Sequence, residues 1–220
     1  MICILAVLLI SLIGAFTVKN FIDGIYSEAM STIEDQINIS CNQVSILLSE
    51  KLGAANVLAQ EAARYIKDED DTAGFQSVAE HLIPFYQTNV FSAIGIAGKS
   101  GILYAGKGLT YDVSENADYQ KALLTPIPFV SQPTYSRNNG KDIVVVFAPV
   151  ILDGKIVATI AGSLQIEELE NKLIYDFYHG QGYCHIISND GTVIVHSTNP
   201  NSDFTLQNLF DKIAEQYSGQ

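Results

Sequence analysis

Between residues 20 and 67 the chain contains no proline, and apolar or small side chains return at a helical interval. Ile22, Ile25, Ala29, Ile33, Ile37, Cys41, Val44, Leu48, Leu52, Ala55, Ala59, Ala62 and Ile66 form one stripe, with a mean step of about 3.67 residues. That step is closer to an 11-residue repeat than to a strict heptad and predicts one nearly straight helix of about 70 Å. Glu28, Glu34, Asp35, Asn42, Glu50, Lys51 and Gln60 fall on the opposite side. A globular domain rarely needs so long a helix, since the average is about 11–12 residues. The expectation is a stalk: one half packs on its own domain, and the end near the membrane pairs with a second copy.

The stalk has an apolar leader. Residues 1–18 carry no charged side chain, and only Ser11, Gly14 and Thr17 interrupt the run. As a helix it reaches roughly 27 Å, about one thin hydrocarbon core. A cleaved signal peptide has a shorter apolar core and a small-x-small cleavage site. Here the helical pattern continues past Lys19, so an uncleaved membrane helix at residues 1–18 is expected, followed by the stalk at 19–67. No Lys or Arg precedes the span, so the positive-inside rule does not orient it from that side.

Charge removes several function classes. The formal net charge is −12, and every Lys and Arg lies after residue 18. An acidic soluble part repels phosphate backbones, which excludes nucleic acid as a partner, and it does not settle on anionic lipid. With 48% hydrophobic and 16% charged residues the chain is too apolar to be disordered. Cys3, Cys41 and Cys184 are far apart and have no metal-ligand spacing, so they read as small apolar residues rather than a disulfide framework.

Beyond the stalk the pattern changes. The run Lys67-Asp68-Glu69-Asp70-Asp71 reads as a solvated helix end, because no loop of alternating oxygen ligands with a central Gly follows to make a calcium site. A second helix is expected over 72–86. Strands are expected over 91–97 and 102–105, joined by a Gly98-Lys99-Ser100-Gly101 turn. A loop then leads to a short helix over 118–124. Strands over 129–134, 142–150 and 155–164 follow, with turns at Asn138-Asn139-Gly140 and Asp153-Gly154, where Asn and Gly accept positive φ cheaply. A helix over 166–178, a hairpin over 182–196 and a helix over 206–217 complete the chain. The fold class is therefore α+β: a long N-terminal helix, a PAS-like five-stranded antiparallel sheet with helices on one face, and the start of a second module.

This order of elements resembles the double Cache domain, a PAS-like extracytoplasmic sensor of bacterial transmembrane receptors. The stretches DVSENADYQKAL, PFVSQPTYSRNNGKDIVVVFAPVILDGKIVATIAGSLQIEEL and GYCHIISNDGTVIVHS carry the resemblance, which covers about residues 20–217. It implies a membrane-distal ligand-binding module at 68–178 and a partial membrane-proximal module at 179–220. It also implies that further strands, a second membrane helix and a cytoplasmic output domain follow in a whole receptor. By the same resemblance ligands bind the first module, between the sheet and the loop with the short helix. Amino-acid-binding members use aromatic residues, an Arg for the carboxylate and an Asp for the amine. Here Tyr119 and Tyr135 stand at the aromatic positions, Ala117 at the Arg position and Ser163 at the Asp position. Losing both charged partners removes a bidentate Arg–carboxylate pair, among the strongest polar contacts available, and speaks against α-amino acids. Tyr104, Tyr111, Asp112, Ser131 and Arg137 are nearby polar groups that could serve instead, and turn or surface placement is the plainer reading of each.

No catalytic constellation stands out. His81, His179, His185 and His196 form no H-E-x-x-H pattern, and there is no G-x-S-x-G or P-loop motif. His185 and His196 face each other across an expected hairpin, but two histidines without a third ligand are ordinary polar residues more often than a metal site. No cofactor is expected. The sequence reads as the extracytoplasmic small-molecule sensor of a receptor in the plasma membrane, homodimeric through its stalk and not itself an enzyme. Diguanylate cyclase output ranks first, with histidine kinase or chemoreceptor output as the alternative. A membrane-anchored enzyme or an assembly protein is the alternative of another class.

Overall fold

The computed structural model describes residues 2–87, 90–136, 140–173, 185–187 and 193–196. Helix α1 (Ile2–Ala62) runs without a break, as the period predicts. It stops five residues short of the expected end, where Tyr65 N–H donates to the Ala62 carbonyl at 2.9 Å and tightens the last turn. Val44, Ala55, Ala59, Ala62 and Ile66 are buried, whereas Ile22, Ile25 and Ile37 are exposed. The stripe departs from expectation at two places. Ser40 is buried and Cys41 exposed, and Lys51, assigned above to the solvent side, is buried. Lys51 lies three residues after Leu48 and four before Ala55, which is an inward helical position. Among the described residues no helix is long and apolar enough to cross a membrane. The side chains of residues 1–13, most of the expected span at 1–18, lie outside the described residues.

The acidic run organises the helix junction. Asp71 caps α2 (Thr72–His81): its carboxylate accepts from Gly74 N–H at 2.9 Å and from Lys67 N–H at 2.9 Å. These bonds, Gly74 first, hold its pKa below the usual carboxylate value. Asp68 accepts from Asp70 N–H at 3.0 Å, and Glu69 pairs with Lys99. The helix expected over 72–86 is divided at Leu82 into α2 and α3 (Ile83–Gln87). Pro84 has no N–H to continue the α-helical ladder.

The sheet is antiparallel throughout and contains the five expected strands. These are β1 (Ala93–Gly98), β2 (Ile102–Ala105), a third strand divided into β4 (Phe129–Val130) and β5 (Thr134–Ser136), β6 (Lys141–Leu152) and β7 (Lys155–Gln165). Pro133 lies in the gap between β4 and β5, where it need not donate to a ladder. A short edge strand, β3 (Thr110–Asp112), forms in what reads as a loop. The order is β3-β2-β1-β7-β6-β4, with β5 also on β6. Helix α4 (Ala117–Ala122) precedes β4, and α5 (Ile166–Glu170) follows β7 directly. Strands β8 (His185–Ile187) and β9 (Val193–His196) form the later hairpin, with His185 opposite His196 in register. The helix expected over 206–217 lies outside the described residues.

Period-two alternation gives the sheet two different faces. Ile96, Val146, Ala148, Val150 and Ile160 pack against Ala55, Leu58, Ala59 and Ala62 of α1 and against Phe75 and Val78 of α2. Val145, Phe147 and Ala161 turn the other way, toward α4. Helices thus cover both faces rather than one, and among the described residues α4 is the helix on the second. The stalk also reaches the later hairpin: Val44, Leu47 and Leu48 cluster with Leu164, Leu169, Ile186 and Val195.

Candidate functional site

The α4 face has the geometry of a shallow receptor. Asn116 caps α4 by accepting from Tyr119 N–H at 2.9 Å, which starts the helix where Tyr119 and Ala122 meet Ala97 and Phe147. Tyr119 is buried, its O–H donates to the Gly98 carbonyl, and burial raises its pKa above the ordinary phenol value. Phe129 stacks on Phe147 with centroids 5.3 Å apart, and the Lys121 ammonium sits 4.6 Å from the Phe129 centroid. Between these walls the floor is built from small side chains, Ala93 and Gly95 of β1 and Ala161 and Ser163 of β7. Ala161 and Val145 lie on the two central strands, yet both are only half-buried, and Ala93 is exposed. On the opposite face Val144, Val146, Ala148, Ile160 and Leu164 are all buried. Among the described residues, the partly exposed positions in the middle of β6 and β7, Val145 and Ala161, thus lie on the α4 side.

Ser163 sits at the edge of this floor with its hydroxyl engaged. It donates to the Ala93 carbonyl at 3.2 Å and lies 3.0 Å from the Ser92 hydroxyl. Ser92 binds the same residue twice more, through its N–H and its hydroxyl to the Ser163 carbonyl at 3.0 and 2.9 Å. Ala117, at the position of the family's Arg, is exposed at the start of α4.

The other candidates disperse. Tyr135 does not share a cavity with Tyr119. Its register partner is Asp142, so it lies on the α1 side of the sheet, where its ring is 62% exposed. Tyr104 also belongs to the α1 side, with its ring 5.9 Å from that of Phe75. Tyr111 pairs with Leu103 and shares the α4 face, at the edge strand. Asp112 is exposed and accepts from the Ser114 hydroxyl at 2.7 Å and N–H at 3.0 Å, which lowers its pKa; it holds a turn. Ser131 is buried, accepts from Val145 N–H at 2.8 Å and donates to the Gln132 carbonyl at 2.8 Å, stitching β4 to β6. Arg137 lies outside the described residues. The face brings together Tyr119, Ser163 and Tyr111. Ser92, Phe129 and Lys121 are members that sequence reasoning missed, because their proximity arises from cross-strand register rather than from local spacing.

A cavity of about 670 Å³ lies elsewhere, between α1 and β8. Ile37, Val44, Leu48, Leu173 and Ile186 make it apolar, and Ser40, Ser45 and Ser49 add one hydroxyl per turn or so. Its described lining also holds His185 and no carboxylate, lysine or arginine, and it lies at the later hairpin, away from the face that carries Tyr119 and Ser163.

No protein-family model matches the chain. A curated relative, the methyl-accepting chemotaxis protein PscA of Pseudomonas syringae pv. tomato, is 21% identical over 131 residues, covering 58% of this chain and 20% of that protein. The match thus spans about one fifth of the relative's length. Among solved structures, the ligand-binding domain of the Pseudomonas fluorescens chemoreceptor CtaA with L-leucine is similar, with TM-score 0.67, 18% identity and coverage of 90% of this chain and 80% of that one. The ligand-binding domain of the Pseudomonas aeruginosa amino acid chemoreceptor PctC with GABA has TM-score 0.60 and 23% identity, covering 87% and 83%. The sensory domain of a Campylobacter jejuni chemoreceptor with isoleucine bound has TM-score 0.62 and 15% identity, covering 87% and 81%. The chain thus shares the fold of these chemoreceptor ligand-binding domains.

The two tyrosines separate the α4 face from its surroundings. Tyr119→Phe removes a buried hydrogen bond and costs about 1 kcal/mol. Tyr135→Phe stays within about 0.5 kcal/mol of the parent. Urea unfolding of both variants measures the difference, and equal effects would contradict the placement.

Proposed function

We propose that this chain is the extracytoplasmic input part of a membrane receptor of the chemoreceptor type, and that it holds a small molecule against the α4 face of its sheet. The carrying observation is the half-buried pair Ala161 and Val145 beside the buried Ser163, on strands whose Val144, Val146, Ala148, Ile160 and Leu164 are buried on the other side. In this reading residues 1–18 anchor the chain in the plasma membrane, 19–67 form the stalk, 68–178 the ligand-binding module and 179–220 part of a second one. The named relative is a chemotaxis protein, which favours chemoreceptor output over the diguanylate cyclase ranked first from sequence. The chain acts by binding and not by catalysis.

Ligand chemistry follows from the residues present. The similar structures hold L-leucine, GABA and isoleucine, which carry an amine and a carboxylate. This chain places Ser163, already bonded to Ser92 and Ala93, where the family's Asp takes the amine, and Ala117 where its Arg takes the carboxylate. A neutral or weakly charged, partly apolar ligand fits a floor of small apolar side chains, aromatic walls and two hydroxyls. Thermal-shift screening of metabolites on the full chain tests this. A neutral ligand is expected, with affinity reduced roughly 2–10-fold by Ser163→Ala and unchanged by Tyr135→Ala. Selection of α-amino acids, bound equally by the parent and Ser163→Ala, would sink the reading.

The receptor acts as a homodimer through the stalk. Ile25 is 50% exposed, Ile39 49% and Ile46 59%, and they are spaced fourteen and seven residues apart, two heptads and one. Each such side chain contributes roughly 1.5–3 kcal/mol when buried. Sedimentation of the detergent-solubilised chain is expected to give a dimer, and Ile39→Asp with Ile46→Asp a monomer. Equal masses for the two would exclude this seam.

A further inference from the structure

A buried lysine joins the stalk to both strands of the pair that carries Ser163, at one end of that pair. Lys51 is 9% exposed, at an inward position of α1. Its ammonium donates to the Val90 carbonyl, pairs with Glu168 of α5 at 3.3 Å and lies 5.8 Å from the Phe91 ring centroid. A lysine withdrawn from water needs such partners to offset the hydration it has lost. Each partner leads to Ser163. Val90 is followed by Phe91, whose ring fills the space beside Gly162: a Cβ there would lie 2.6 Å from it. Next comes Ser92, held to Ser163 by its N–H and hydroxyl. On the other side, Ser163 runs through the end of β7 directly into α5 and Glu168. The contacts close a ring: Lys51, Val90 to Ser92, Ser163, Glu168 and back to Lys51.

We propose that Lys51 is a coupling residue, the post through which the state of Ser163 on the α4 face is passed to the stalk helix. The proposal rests on the reading of that face as the ligand site only for the signal's source. The mechanical link stands on the contacts themselves. A displacement of β7 at Ser163 moves the Val90 carbonyl, Glu168 or both. The ammonium then follows its partners or loses one in a site that water does not freely fill, and in either case α1 responds locally. The two routes meet on a single side chain, and that side chain belongs to the element that leads toward the membrane. Lys51 touches no ligand in this account; it positions the helix.

The test needs no ligand. Amide hydrogen exchange is followed on the full chain at residues 48–55 of α1, in the parent, Ser163→Ala, Lys51→Met and the double variant, with Tyr111→Phe on the same face as a control. Ser163→Ala is expected to raise exchange at 48–55 roughly 3–10-fold, while Tyr111→Phe leaves it unchanged. In the Lys51→Met background Ser163→Ala is expected to add nothing there. Should Lys51→Met fail to fold, Glu168→Gln, at a half-exposed partner, supplies the second background, in which the response to Ser163→Ala shrinks. Unchanged exchange at 48–55 in Ser163→Ala, or the same rise with and without Lys51, overturns the proposal. Failure of the ligand reading shows separately, as a metabolite screen indifferent to Ser163.

Discussion

Ala55, Leu58, Ala59 and Ala62 are almost fully buried against Val146, Ala148 and Ile160, and most of the fold depends on that helix-on-sheet contact. Three of the four helix residues are alanines, so the helix axis lies close to the strands. Alternation then decides everything on the far side. If the even-numbered residues of β6 face α1, then Val145 and Phe147 must face away, and so must Ala161 and Ser163 through their pairing across β6 and β7. One face is closed by the Val44–Ala62 part of α1 together with α2, and the other receives the short α4. The open side of the sheet is thus a consequence of how completely the other side is covered.

Much of this was legible in the sequence. An unbroken stripe from Val44 to Ile66 gave the packed half of the helix, and the β-branched runs of β6 and β7 gave the central strands almost to the residue. What escaped was information that lives in register. Tyr119 and Tyr135 stand sixteen residues apart in sequence, on either side of β4. Nothing local distinguishes them, yet pairing with Asp142 sends Tyr135 to the face opposite Tyr119. β3 escaped because three residues of edge strand have no pattern to read. Lys51 escaped for a different reason: charge outweighed position. Its spacing from Leu48 and Ala55 is inward, but a lone lysine reads as solvated unless its partners, Val90 and Glu168, are known to be near.

Two chemistries divide the labour in this structure. Apolar packing, strong and non-directional, fixes the sheet on the stalk and holds the scaffold still. Polar contacts, directional and easily lost over an ångström, tie the strand pair to the stalk helix: Ser92 with Ser163, Lys51 with Val90 and Glu168. A ligand that prefers one arrangement of those contacts by about 100-fold supplies about 2.7 kcal/mol. That is enough to shift a helix against its neighbours and too little to repack the core beneath it, so the motion that carries a signal is small.

The account stands on where a ligand sits. Backbone-amide NMR of the full chain in detergent, titrated with the metabolite that raises its melting temperature, reads that location residue by residue. The account predicts the largest shifts at Ala93, Gly95, Ala161 and Ser163 and along α4, with a weaker response near Lys51. Shifts confined to Ile37–Ser49 and Ile186, around the cavity beside the stalk, would place the site in the other module and contradict it.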